Sequence, residues 1–464
     1  MSSSLRRPYA LPAAIALAAA ALAIPSTASA GLLSASQCVE SAQPMLDVVR
    51  TPSPGSNPGA AVLGPDGNVW FTEQGSNSIG RVTAMGAITE FPMPAAGVNP
   101  FDITVGSDGN LWFTSFGASK VGRITTAGAV TLYDLPWSTA TDPVNAMAIA
   151  GDLQGGLWFT QDSGFIGKVT TAGEFSQVPI GAPGATGEDI SFANGGMAIT
   201  LTGSNEYGIA MLNVSNGSML AYKAPPGSGP ATITGANDGT FWFTDRRQNA
   251  IWRAAAKPTG GFDYTAYPTP STSSQAIGWV TGGSSPWLGR FIADPPMWFM
   301  GSGGQVGQVT ERGVINTYPA TGTLPFSGAA YGGSDGPQAP VAFGSDGNLW
   351  ITEPACDSMA MYAGVTAGPM GMWITSAPAA VTRGRTYAIK VKATNAGTAK
   401  IAISTPTVRS TIKTASVKRG VTTLRVTVPT SLTKKLNGRV ALILNASIKG
   451  MVQSGQSSPL TVRK

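Results

Sequence analysis

The 464-residue chain is 12% charged and carries 59 glycines and 34 prolines, so turns are frequent, while 42% hydrophobic residues still supply a core. It has no histidine, which excludes a Ser-His-Asp triad, a Cys-His pair, His-ligated zinc and imidazole acid/base chemistry. Its formal net charge of +6 conceals an acidic body and a basic tail.

Arg6 and Arg7 precede an apolar stretch from Leu11 to Ile24, followed by Pro25 and the small residues Ala28-Ser29-Ala30. This is the layout of a secretory signal peptide over residues 1–30, with cleavage before Gly31 and a secreted, extracellular product. The stretch is too short to span a bilayer, and no later segment reaches that length, so no membrane span is expected. Met45 to Thr51 then reads as an isolated strand stopped by Pro52.

An internal repeat follows. Asp66-Gly67-Asn68-Val69-Trp70-Phe71-Thr72-Glu73 returns at Asp108–Ser115 and at Asp346–Glu353, with shorter versions around Trp158, Trp242 and Trp298. The spacing between Trp158 and Trp242 is double the usual one, and Met197 to Thr202 supplies the strand of the unit that has lost its marker. The unit reads as four short strands, with Asp-Gly as the tight hairpin turn. The Trp-Phe strand is a continuous apolar run, as a sheet buried on both faces requires. Such units arranged about an axis are propeller blades. The seventh unit has only three strands, Val341–Phe343, Leu349–Thr352 and Met359–Tyr362. The isolated strand at the amino terminus is therefore expected to become its fourth, closing the ring and removing an open edge.

After a Gly, Ala and Pro-rich stretch at 363–371, the tail carries sixteen Lys and Arg and no Asp or Glu. Its alternating segments, such as Thr386–Lys392 and Thr423–Val428, imply short strands of a small immunoglobulin-like β-sandwich. The expected organisation is thus all-β: a signal peptide at 1–30, a seven-bladed β-propeller at 45–365 and a basic sandwich at 373–464. The tail's charge suits an anionic cell-envelope polymer; with few aromatics among the basic residues, nucleic acid is not the expected partner. Cys38 and Cys356, the only two cysteines, are disulfide candidates in an exported chain, and both lie near the expected closure.

The Asp-Gly-Asn-Leu-Trp-Phe-Thr, Ile-Gly-Arg-Ile-Thr and Ile-Thr-Glu-Phe-Pro modules resemble virginiamycin B lyase, a streptogramin lyase, across roughly residues 45–365. The resemblance implies elimination at an ester linkage with a magnesium ion and a catalytic histidine that follows a proline. At the matching stretches Gln338 and Trp287 stand where histidines would be, and neither can abstract a proton at neutral pH. Glu353 lies near an acidic position of that family. Glu188 and Asp189 are alternative catalytic carboxylates, and Asp102 with Glu353 are the metal candidates. Phe101, Asp102, Trp287 and Gln338 are candidate lining of a binding mouth, against packing in the core or rim. The sequence therefore favours a monomeric secreted binding protein without lyase activity, whose ligand is a small molecule or an extracellular polymer. The alternatives are a carbon–oxygen lyase of the virginiamycin B lyase type or a carboxylate-based hydrolase.

Overall fold

The computed structural model describes residues 46–463, apart from 153, 194, 205–207, 237, 246, 249, 270–276, 282–296, 302–304, 310–313, 319–340, 345–347, 363–371, 394–396, 405–408, 432–435, 437 and 449–453. Seven four-stranded antiparallel blades follow one another. Blade one consists of Pro58–Leu63, Val69–Glu73, Ser78–Val82 and Ile88–Pro92, from the innermost strand outward, and blade two of Pro100–Val105, Leu111–Ser115, Lys120–Ile124 and Val130–Asp134. Blades three to six occupy 146–179, 186–222, 230–268 and 277–318 in the same order. The second strand of blade four is Gly196–Thr202, the unit without a tryptophan. Innermost strands of successive blades touch from one to six, and that of blade one touches that of blade seven.

Blade seven closes the ring as expected. Val341–Phe343, Leu349–Glu353 and Ser358–Tyr362 are completed by Leu46–Arg50, which pairs antiparallel to the last of them, Leu46 opposite Tyr362 and Arg50 opposite Ser358. The Thr51 amide and hydroxyl both donate to the Asp357 carbonyl, at 2.8 and 3.0 Å. Asp357 then accepts the Gly55 and Asn57 amides at 2.7 and 3.2 Å, pinning the crossing into blade one. Cys356 is buried next to this seam and is disulfide-bonded; Cys38 lies outside the described residues.

The repeated motif is explained by contacts within each blade. Every residue of the Trp-Phe strands is buried. In blades one to three the Trp indole N–H donates to the turn aspartate, as Trp70 to Asp66 at 3.0 Å and Trp112 to Asp108 at 3.2 Å. The same aspartates cap the hairpin through the Asn68 and Asn110 amides. Opposite the Trp of blades one, two, three and five stands a cation, among them Arg81 on Trp70 and Arg123 on Trp112, with guanidinium carbons 5.4 and 5.7 Å from the ring centres. Opposite the Phe of blades one, two, three and six stands glycine, because a Cβ on Gly80 or Gly122 would lie 2.2 or 2.0 Å from the Phe71 or Phe113 ring; in blade five Trp252 stands there instead.

The threonine that follows the Phe joins the blades. The innermost strands of blades one to six slip register near their start, as between Pro58 and Ala61 or Pro100 and Ile103, which leaves one amide without a strand partner. The threonine hydroxyl takes it and passes its own proton to the next blade. Thr72 accepts the Ala60 amide and donates to the Phe101 carbonyl, both at 3.0 Å. Thr114 accepts from Asp102 and donates to Met147; Thr160 accepts from Ala148 and donates to Glu188; Thr200 accepts from Asp189 and donates to Ala231.

In the tail, Met372–Ser376, Thr386–Ala393 and Gly420–Thr427 form one sheet, while Gly397–Ser404, Arg409–Val417, Gly438–Ile448, Ser454–Arg463 and Ala380–Thr382 belong to another. Ile389, Val391, Leu424 and Val426 pack with Ile401, Ile403, Leu442 and Leu444 in one apolar core. Ser454–Arg463 is shared with the propeller: it pairs with the outermost strand of blade six, Asn316 opposite Gln456. No helix among the described residues is long and apolar enough to cross a membrane.

Thr114→Val leaves a buried amide and a part-buried carbonyl unpaired, so unfolding in denaturant should show a loss of about 1–3 kcal/mol. Thr131→Val, exposed on the outermost strand of the same blade, should change stability by no more than about 0.5 kcal/mol. Removing residues 31–52 opens the ring, and the melting temperature of the propeller should fall steeply; an unchanged value would contradict closure by the amino terminus.

Candidate functional site

The register slip that places the threonines also places the candidate carboxylates. Asp102 and Asp189 occupy the same position at the start of the innermost strands of blades two and four. Asp102 accepts the Ile103 amide on one oxygen and the Ile149 amide of blade three on the other, each at 2.8 Å. Asp189 repeats this with Ile190 at 2.8 Å and Ile233 of blade five at 2.7 Å. Ile149 and Ile233 lie in the innermost strands of their blades, so each aspartate carries its blade's hydrogen bonding across to the next. Burial pushes Asp102 up to about 7 and Asp189 to about 8, the latter helped by the Asp102 charge, even though the backbone donors pull both down.

The remaining candidates divide by burial. Phe101 is fully buried and stacks on Phe116 with ring centres 5.4 Å apart, so it belongs to the packing of blade two. Glu188 is buried and its carbonyl receives the Thr160 hydroxyl. Glu353 ends the second strand of blade seven, buried, with Oε2 accepting the Ser358 hydroxyl at 2.7 Å. Burial raises it to about 7, against the lowering effects of Ser358 and the nearby Arg50 charge. Trp287 and Gln338 lie outside the described residues.

Glu353 is one of a set. The last residue of the second strand is Glu73 in blade one, Ser115 in blade two, Gln161 in blade three and Asp245 in blade five, all fully buried. Asp245 is saturated: one oxygen accepts the amides of Gly229, Arg247 and Gln248, and the other the Trp252 indole at 2.9 Å. Gln161 accepts the Trp137 indole at 2.7 Å. Glu73 has one oxygen on the Ser76 hydroxyl and the other, Oε1, without a hydrogen-bond partner. Burial, then the neighbouring Glu90 charge, pushes Glu73 up to about 8. The signal for this belt was the residue after Trp-Phe-Thr, whose identity changes from blade to blade while its polarity persists.

Magnesium, which the resemblance implies, needs several oxygen ligands gathered in near-octahedral geometry. Both Asp102 oxygens are committed to backbone amides, and one Glu353 oxygen is committed to Ser358. Among the described residues no three Asp, Glu or Cys side chains gather into a group that would hold a metal. These residues do not fit that ion.

The model of the virginiamycin B lyase family matches residues 40–209. The solved selenomethionine-substituted virginiamycin B lyase from Staphylococcus aureus is similar at 24% identity with a TM-score of 0.55, over 68% of this chain and 98% of its own. A streptogramin B lyase structure is 25% identical with a TM-score of 0.55, over 68% and 96%. A catalytically inactive histidine-to-alanine variant of the Staphylococcus aureus lyase, with quinupristin, is 26% identical with a TM-score of 0.53, over 68% and 98%. No curated protein matches the chain.

Glu73, Asp102, Asp189 and Glu353 all hold protons more tightly folded than unfolded. Their contribution to stability is therefore present at low pH and is lost as pH rises through about 7–8. The melting temperature should fall between about pH 5.5 and about pH 9, and Glu73→Gln should flatten that fall by removing one titrating group. An identical pH profile in the variant would contradict a protonated Glu73.

Proposed function

We propose that this virginiamycin B lyase-like propeller is an exported binding protein that holds its ligand without cleaving it. The observation that carries the reading is the absence of histidine anywhere in the 464 residues. The lyase that shares the fold is described as catalytically inactive when one histidine becomes alanine, in a structure that still contains quinupristin. A propeller without that base thus retains a reason to exist as a binder. The carboxylates best placed to substitute support the same reading, because Asp102 and Asp189 give both oxygens to backbone amides of two blades. Using either as a base would break the link between its blade and the next. Export is supported by the layout of residues 1–30 and by a disulfide at Cys356, since disulfides persist in oxidising compartments. The ligand class is a small molecule or an extracellular polymer.

A second reading keeps bond cleavage and rests on Glu353. A carboxyl held at about 7 is poised to accept a proton at neutral pH. Its burial and its bond to Ser358 count against that role.

The two readings separate on incubation of the purified protein with a type B streptogramin and magnesium, followed by chromatography for the linear product. A general base contributes about 10²–10⁴-fold, so the expected result is no product above the level of a Glu353→Gln variant. Turnover well above that variant would overturn the binding reading and establish the second.

A further inference from the structure

The tail presents one edge unlike any part of the propeller. Arg409–Val417 and Gly420–Thr427 each lie at the end of the strand order in their own sheet, and they touch. Lys418 and Arg419 form the turn between them. Along this edge Thr411, Lys413, Lys418, Arg419, Thr423 and Arg425 are all exposed. Inward-facing Leu424 and Val426 hold the second strand in the core, so strand alternation fixes Thr423 and Arg425 outward. No aspartate or glutamate occurs from 371 to 464, and no aromatic residue occurs from 409 to 427.

Lysines on an edge strand often serve to prevent pairing with another chain, and one or two charges are enough for that. Four exposed cations on these two touching strands and their turn, in a tail with no acid to neutralise them, exceed this need. They create a positive field that extends about a Debye length, roughly 8–10 Å, into solvent. The threonines between them supply hydroxyls that can bond to other hydroxyls. No aromatic side chain along the edge offers the stacking platform on which single-stranded nucleic-acid binding chiefly relies.

We propose that this edge is a binding strip for a linear acidic polysaccharide, with Lys413, Lys418, Arg419 and Arg425 pairing with its carboxylates and the threonines meeting its hydroxyls. The site is independent of whatever the propeller holds. Because the contacts are exposed ion pairs, each is weak and salt-sensitive, and affinity comes from engaging several along one polymer.

The test titrates the full mature chain with alginate, a carboxylated polysaccharide, at low and high salt. A variant carrying Lys413→Gln, Lys418→Gln, Arg419→Gln and Arg425→Gln is compared with an equal-charge control carrying Arg247→Gln, Lys257→Gln, Arg385→Gln and Arg463→Gln, exposed residues away from these two strands. The strip variant should bind at least about tenfold more weakly and the control less than about threefold, since exposed pairs add only when they meet the ligand. Lys418→Gln with Arg419→Gln, confined to the turn, should give the same ordering with a smaller loss, should the fourfold variant fold poorly. Absence of alginate binding at low salt, or equal weakening in strip variant and control, would overturn the proposal. So would tighter binding to duplex DNA than to alginate. Salt-reversible self-association without alginate binding would instead assign the edge to the acidic propeller of a second copy.

Discussion

The buried threonine hydroxyl on the second strand of blades one to four is the interaction on which the propeller depends. A propeller must join blades whose innermost strands do not form a common sheet, and each such strand carries amides that a slipped register leaves unpaired. One hydroxyl both accepts and donates, so it satisfies its own blade and reaches the next with a single atom. Four consecutive relays, from Thr72, Thr114, Thr160 and Thr200, run from blade one to blade five. Valine has the same shape as threonine but can do neither. The apolar packing around these atoms supplies much of the stability, yet it is non-directional; the relay fixes where each blade sits.

The two inner aspartates extend the same logic at a higher electrostatic cost. Where blades two and four have Asp102 and Asp189, blades one and three have Ala60 and Ala148, which bridge nothing with their side chains. The aspartates gain a link to the next blade and incur burial of a carboxylate, visible in their upward shifts. A raised carboxyl at an inner strand is also what a catalytic base looks like. Geometry separates the two cases here, since a group with both oxygens on backbone amides is already in use. The elevated Asp102 and Asp189 are therefore accounted for by assembly, whereas Glu73 and Glu353 are raised by burial without linking blades.

Much of this was legible in the sequence because the repeat states the same rule several times. Aspartate before the turn, tryptophan and phenylalanine on the second strand, glycine and arginine on the third are contacts within one blade, so short-range pattern captures them. The missing tryptophan of blade four was inferred from spacing alone, and the strand at Gly196–Thr202 fills that place. The pairing of Leu46–Arg50 with blade seven was readable as an arithmetic remainder, one strand short at one end and one over at the other. What pattern did not show was anything crossing between blades. The second role of threonine, the Asp102 bond to Ile149 and the burial of Phe101 depend on which residues face a neighbour some forty positions away. Phe101 and Asp102 are adjacent in sequence and looked alike as lining, whereas one packs on Phe116 and the other staples blade three.

The carboxyl-terminal strand shows the same division between local and distant information. Only the end of Ser454–Arg463 shows its alternation, with Leu460 and Val462 in the tail's apolar core, and the strand pairs along its length with Gly438–Ile448. Its other edge is divided: Gly455 to Ser457 face blade six, while Thr461 to Arg463 pair parallel with Ala380–Thr382. One strand thereby covers the outer edge of a blade and completes a sheet of the tail, protecting two edges that would otherwise template association. A basic tail joined to an acidic propeller through backbone hydrogen bonds is not held by charge attraction alone. Salt can therefore weaken what the exposed cations bind without, by the same means, releasing the tail from blade six.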